Sequence, residues 1–117
     1  MSEVNVLKRG SVFFIRFEDG SKAYLAVEEK GNILYLNETF TPEKYRGRGY
    51  ARRLVEEAIK YAETKGLKIV PICSYAIYYF MKNRDKRYVL KDSYKSLSED
   101  EWRRLFESRL EEERRKS

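Results

Sequence analysis

Ala51, Leu54, Val55, Ala58, Ile59 and Ala62 recur at i, i+3, i+4, i+7, i+8 and i+11, the spacing that gathers small and aliphatic side chains on one face of an α-helix. Nothing else constrains the fold as much, because the segments on either side follow a different period. Gly66 supplies the C-terminal stop. Leu67 to Cys73 is then a short apolar run carrying Pro71, read as a strand with a kink or bulge. Before the helix, residues 11–17 (Ser-Val-Phe-Phe-Ile-Arg-Phe) are rich in β-branched and aromatic types and lead into an Asp19-Gly20 turn. Residues 22–28 alternate loosely around Tyr24, Leu25 and Val27; Lys30-Gly31-Asn32 breaks the run, and Ile33 to Leu36 resume it. This third strand continues through Asn37, Glu38, Thr39 and Phe40 to Pro42, which has no N–H for a sheet ladder. The pattern predicts a three-stranded antiparallel meander followed by a β-α-β unit with parallel strands. The fold class is α/β (α+β), with a mixed, mostly antiparallel sheet.

Residues 74–83 (Ser-Tyr-Ala-Ile-Tyr-Tyr-Phe-Met-Lys-Asn) read as a short helix, although their aromatic content suits a strand equally. Arg87 to Lys91 are expected to add a last edge strand. Ser98 with Glu101 has the form of a capping box, and Leu97 with Trp102 that of its hydrophobic staple, so a terminal helix should begin there. Trp102, Leu105, Phe106 and Leu110 give it one narrow apolar stripe, expected to dock on its own domain rather than on a partner. At 117 residues the chain suits one domain, divided here into a body over 1–95 and a helical extension over 96–117 packed on it.

The chain has no histidine, which excludes an imidazole base or zinc ligand. Its single cysteine, Cys73, excludes an intramolecular disulfide. No run of apolar residues is long enough to span a membrane, and Met1 to Gly10 lack a signal-peptide core, so the expected location is the cytoplasm. The net charge of +6 raises the prior for an anionic partner. Charge density more than doubles beyond position 82, with both signs present, as on a solvated helical surface. The absence of glutamine beside abundant Lys, Arg and Glu fits selection for heat resistance.

The most informative segment joins the third strand to the long helix: Lys44-Tyr45-Arg46-Gly47-Arg48-Gly49-Tyr50-Ala51-Arg52-Arg53. Two glycines let the backbone turn sharply and approach a ligand, and the following helix points its unpaired N–H groups and positive dipole end at the same spot. Such a place binds phosphate, and Lys44, Arg46, Arg48, Arg52, Arg53 and Lys60 are candidate side-chain partners. The Walker and Rossmann glycine patterns are both absent.

Arg46-x-x-Gly49-x-Ala51, set between a strand and an amphipathic helix, resembles the acetyl-coenzyme A signature Gln/Arg-x-x-Gly-x-Gly/Ala of the GNAT superfamily of N-acetyltransferases. Leu67-Lys-Ile-Val-Pro-Ile-Cys73-Ser-Tyr75, with Tyr79 beyond, is similar to a motif of that superfamily's small truncated branch. The resemblance covers about residues 11–91. It implies a GNAT-like fold and an acetyl-CoA-dependent N-acetyltransferase that passes an acetyl group directly to a primary amine in a ternary complex. It further implies that backbone amides of Gly47, Arg48, Gly49, Tyr50 and Ala51 hold the diphosphate, with charge from Arg46 and Arg48. The strand edge at Thr39, Phe40 and Thr41 would pair with the pantetheine arm between two splayed strands, and Tyr79 would protonate the departing thiolate.

The amine imposes its own requirement. An alkylammonium has a pKa near ~10.4, so a base must take a proton at neutral pH. Glu38, at the end of the third strand, is the best placed carboxylate, acting through water with partial burial raising its pKa. Relatives often carry His-Thr where this chain has Glu38-Thr39, and proline where it has Ser74. Cys73 is a candidate nucleophile for a two-step route, although a lone cysteine in an apolar strand more often packs. The partners expected are acetyl-CoA and an unidentified amine, small molecule or protein, with no membrane; a homodimer is left open. Two alternatives of other classes are a nucleic-acid binding domain using the basic loop and tyrosines, which the charge-balanced tail disfavours, and a noncatalytic CoA sensor.

Overall fold

The computed structural model describes residues 5–116. Five strands form one sheet in chain order: β1 (Leu7–Arg9), β2 (Val12–Arg16), β3 (Lys22–Lys30), β4 (Ile33–Phe40) and β5 (Lys68–Pro71). β1 to β4 are an antiparallel meander. α1 (Tyr50–Lys65) then carries the chain to β5, which pairs parallel to β4. The meander is one strand longer than the sequence predicts, because β1 is three exposed residues with no alternation to betray it.

The period-3.6 face does what its spacing requires. Leu54, Val55, Ala58, Ile59 and Ala62 are buried against Phe13, Ile15, Ala23, Leu25, Leu34, Leu36 and Ile69, each large aliphatic side chain contributing about 1.5–3 kcal/mol by leaving water. Ala51, the first member of the stripe, is only half-buried, because it lies in the first turn where the helix meets solvent. Gly66 ends α1 at φ 71°, its N–H donating to Ala62 O and Glu63 O.

After β5 come α2 (Ser74–Lys82), α3 (Asp92–Lys95) and α4 (Glu99–Lys116). The edge strand expected over Arg87 to Lys91 does not form. Arg84–Val89 make a 3-10 turn, and Leu90 contributes one isolated parallel bridge to Ile69. The reason is what Arg87 does: its Nε donates to Phe80 O at 2.7 Å, satisfying a carbonyl at the end of α2. Its guanidinium also pairs with Glu99 at 2.9 Å and lies 4.9 Å from the Trp102 ring centroid. A strand would pull that side chain away from all three.

α4 opens with the capping box: Ser98 N–H donates to Glu101 Oε1 at 2.8 Å, and Glu101 N–H to Ser98 Oγ at 3.1 Å. Trp102 is fully buried in the core, and Leu97, Leu105 and Phe106 pack partly against it.

Candidate active site

β4 and β5 pair only as far as Leu36 and Pro71. Ile72 and Cys73 N–H both donate to Leu36 O, at 2.9 and 3.1 Å, as the chain turns off into α2. β4 changes register at the same level: the neighbours Ala26 and Val27 of β3 face Glu38 and Leu36, so Asn37 is an extra residue. The irregularity anticipated at Pro71 therefore lies across the sheet, at Asn37. Bulges bend a strand and sharpen its twist, and beyond this one Asn37 to Phe40 have no β5 partner.

A cavity of about 540 Å³ opens along this edge, lined by Thr39, Phe40, Thr41, Tyr45, Arg46, Gly47, Gly49, Tyr50, Ala51 and Tyr75. Eight of the nine residues expected to hold acetyl-CoA, all but Arg48, thus line one cavity. Gly47 and Gly49 have φ of +79° and +84°, the left-handed region, and a Cβ on either would meet open space. Backbone conformation, not crowding, is what demands glycine there. α1 begins at Gly49 with no side-chain cap and no acidic residue in its first turn. Arg52 and Arg53 stand there instead, against the sense of the helix dipole. An end so arranged is complementary to an anion supplied from outside.

The loop is held by contacts the sequence pattern did not reveal. Phe17 stacks on Tyr45 with centroids 3.7 Å apart and meets Tyr50 edge-on at 5.0 Å, and such pairs contribute about 0.5–1.5 kcal/mol each. Arg46 Nε donates to Thr41 O at 2.9 Å, tying the loop to the end of β4. The six basic candidates separate. Arg46 lines the cavity, whereas Lys44 pairs with Asp19 at 2.9 Å and Arg52 with Glu56 at 3.8 Å. Asp19 is held well below the usual carboxylate range by the Ser21 hydroxyl and N–H, then by Lys44. Arg48 lies over the Tyr45 ring at 5.9 Å, outside the cavity lining. Arg53 and Lys60 line a different depression, with Glu56, Glu57, Glu63 and Lys86.

A second cavity, of about 520 Å³, is lined by Asn37, Glu38, Thr39, Cys73, Ser74, Glu113 and Lys116. Thr39 belongs to both cavities, so the two meet at the splay of β4 and β5. Cys73 is buried there with its Sγ 4.0 Å from Thr39 Oγ1. Burial holds its thiol above the ordinary value, opposed by the Ala76 N–H and the Thr39 hydroxyl. The partial burial expected of Glu38 is not found: its carboxylate is exposed and accepts a hydrogen bond from Tyr24 Oη at 3.2 Å.

Tyr79 lines neither cavity. It is 1% exposed, and its hydroxyl has no hydrogen-bond partner among the described residues. Burial, then the charges of Glu56 and Asp85, push its phenol up to about 12. One turn earlier on the same helix, Tyr75 lines the first cavity. Sequence reasoning missed Glu113 altogether, and also Phe17 and Tyr45.

The family described as GCN5-related N-acetyl-transferase matches residues 12–89. Among solved structures, a GCN5-like protein from Staphylococcus aureus, determined by NMR in solution, superposes with a TM-score of 0.64. It is 22% identical, over 78% of this chain and 91% of that one, which is a likeness of fold. The chain matches no curated protein. Among the described residues no helix is long and apolar enough to cross a membrane.

Proposed function

The chain belongs to the GCN5-related N-acetyltransferase family, and from that premise we propose that it transfers an acetyl group from acetyl-CoA to a primary amine by direct attack in a ternary complex. The observation that carries this reading is the meeting of two cavities at Thr39, where β4 and β5 part. One has the features of a diphosphate cradle, and the other leaves room for an acceptor on the far side.

The fit to acetyl-CoA rests on the uncapped, acid-free start of α1 and the left-handed glycines before it. Amides of Gly47 to Ala51 and the Arg46 guanidinium would hold the diphosphate, and Thr39, Phe40 and Thr41 the pantetheine arm. Acetyl-CoA brings the activated acyl group; the chain supplies orientation and moves protons. Glu38 takes one proton of the incoming ammonium by way of water. As the new C–N bond forms and the C–S bond breaks, Tyr79 protonates the departing thiolate, and the second N–H proton restores the phenol. The Tyr79 hydroxyl has no partner among the described residues, and it reaches that thiolate only by turning from its buried position toward the cavity that Tyr75 lines. Cys73 is buried with a raised pKa, and a neutral thiol is a poor nucleophile; this favours Cys73 as wall of the second cavity and the one-step route over an acetylated enzyme.

Thiol release over a panel of primary amines tests the proposal. Glu38→Gln is expected to lower kcat by about 10²-fold while calorimetry gives an unchanged Kd for acetyl-CoA. Equal rates in the two proteins would remove Glu38 from the mechanism, and no heat with acetyl-CoA would remove the function.

A further inference from the structure

The cavity on the Cys73 side of Thr39 has walls from opposite ends of the chain. Asn37, Glu38 and Thr39 of β4 form one, and Glu113 and Lys116 of α4 another. α4 lies outside residues 12–89, which carry the family match. Glu113 is fixed in place there: its Oε2 accepts the Ser74 N–H at 2.9 Å and its Oε1 the Ser74 hydroxyl at 2.5 Å. Ser74 is the first residue of α2, so the carboxylate also faces the positive end of that helix. Proline at position 74 would offer neither donor; serine and Glu113 are a matched pair.

Held this way, each oxygen of Glu113 keeps lone-pair capacity for a further N–H. Glu38 brings a second carboxylate to the same space, Lys116 brings one cation, and Asn37, Thr39, Cys73 and Ser74 are neutral. The walls therefore favour a cation over an anion. Resting on the function proposed above, we infer that α4 is the acceptor wall and that Glu113 selects the acceptor, an unhindered alkylammonium with no carboxylate beside the amine. A polyamine end and a lysine side chain share that chemistry. An α-amino acid does not, because its own carboxylate would stand against Glu38 and Glu113.

Steady-state kinetics with spermidine, N-acetyl-lysine amide and glutamate as acceptors tests the inference, the first two separating a polyamine from a lysine source. The wild-type protein is expected to acetylate one or both of the first two and to leave glutamate unmodified. Glu113→Gln should raise the KM for the preferred amine about tenfold, roughly the strength of one charge-assisted hydrogen bond, with the acetyl-CoA Kd unchanged. Calorimetry of that amine with the protein saturated in free CoA should weaken by the same factor, without turnover. Ser74→Ala, which removes only the hydroxyl donor, should raise KM by a smaller factor and serves if Glu113→Gln folds poorly. An unchanged amine KM in variants that retain acetyl-CoA binding, or a preference for glutamate, would overturn the assignment of Glu113 while leaving the function standing. Absence of acetyl-CoA binding in the wild-type protein would instead overturn the function, and this inference with it.

Discussion

In the proposed mechanism Tyr79 is the acid for the departing thiolate, and in the fold it is a buried phenol with no hydrogen-bond partner among the described residues. A buried phenol without a partner costs the fold about 1–3 kcal/mol, so removing its hydroxyl should be neutral or stabilising to the fold whatever it does to turnover. Tyr79→Phe is accordingly expected to melt at or above the wild-type temperature while kcat falls by about 10²-fold. The same residue has a pH signature. Burial raises its folded pKa from 10.0 to about 12. Between those values the unfolded chain holds fewer protons than the folded one, so stability declines as pH rises. Melting curves across that window should fall less steeply in Tyr79→Phe than in the wild-type protein; parallel slopes would mean that the phenol titrates normally. At this scale the sequence was legible where function is local. Arg46, Gly47 and Gly49 announce a tight basic turn through their own backbone chemistry. Glu113 was not legible, because its partner Ser74 is 39 residues away and nothing near either one marks the other.

The two long helices begin in opposite ways. α4 has a capping box and three acids, Glu99, Asp100 and Glu101, in its first turn, the arrangement that stabilises a helix by itself. α1 starts at a left-handed glycine with no cap and with arginines in the first turn. The stability withheld there is what the diphosphate would restore. Gly49→Ala tests this: the left-handed backbone would cost about 1–2 kcal/mol with a side chain, so the denaturation midpoint should fall and acetyl-CoA binding weaken. Unchanged binding would place the diphosphate elsewhere. Periodicity read α1 correctly because its apolar stripe is long and regular. It misread Arg87 to Lys91, where the apolar pattern of Tyr88 to Leu90 suits a strand but the guanidinium of Arg87 is committed to α2, Glu99 and Trp102. β1 was missed because three exposed residues carry no pattern at all.

Across the described residues, many of the cations behind the net charge of +6 are paired. Lys44, Arg52, Arg84, Arg87, Arg103 and Arg109 are each engaged with a carboxylate, which weakens the nucleic-acid alternative, since that binding draws on cations aligned with phosphates. What the fold does gather is a line of two cavities through the splay of β4 and β5, with the start of α1 at one end and the end of α4 at the other. In the function proposed above, this line takes acetyl-CoA with its diphosphate on the loop before α1. Titration of the isotope-labelled protein with acetyl-CoA, followed by amide NMR, tests it most directly. The largest shifts are expected on Gly47 to Ala51 and on Thr39 to Thr41; saturable binding that leaves those amides unmoved would place the cofactor elsewhere and overturn the proposed function.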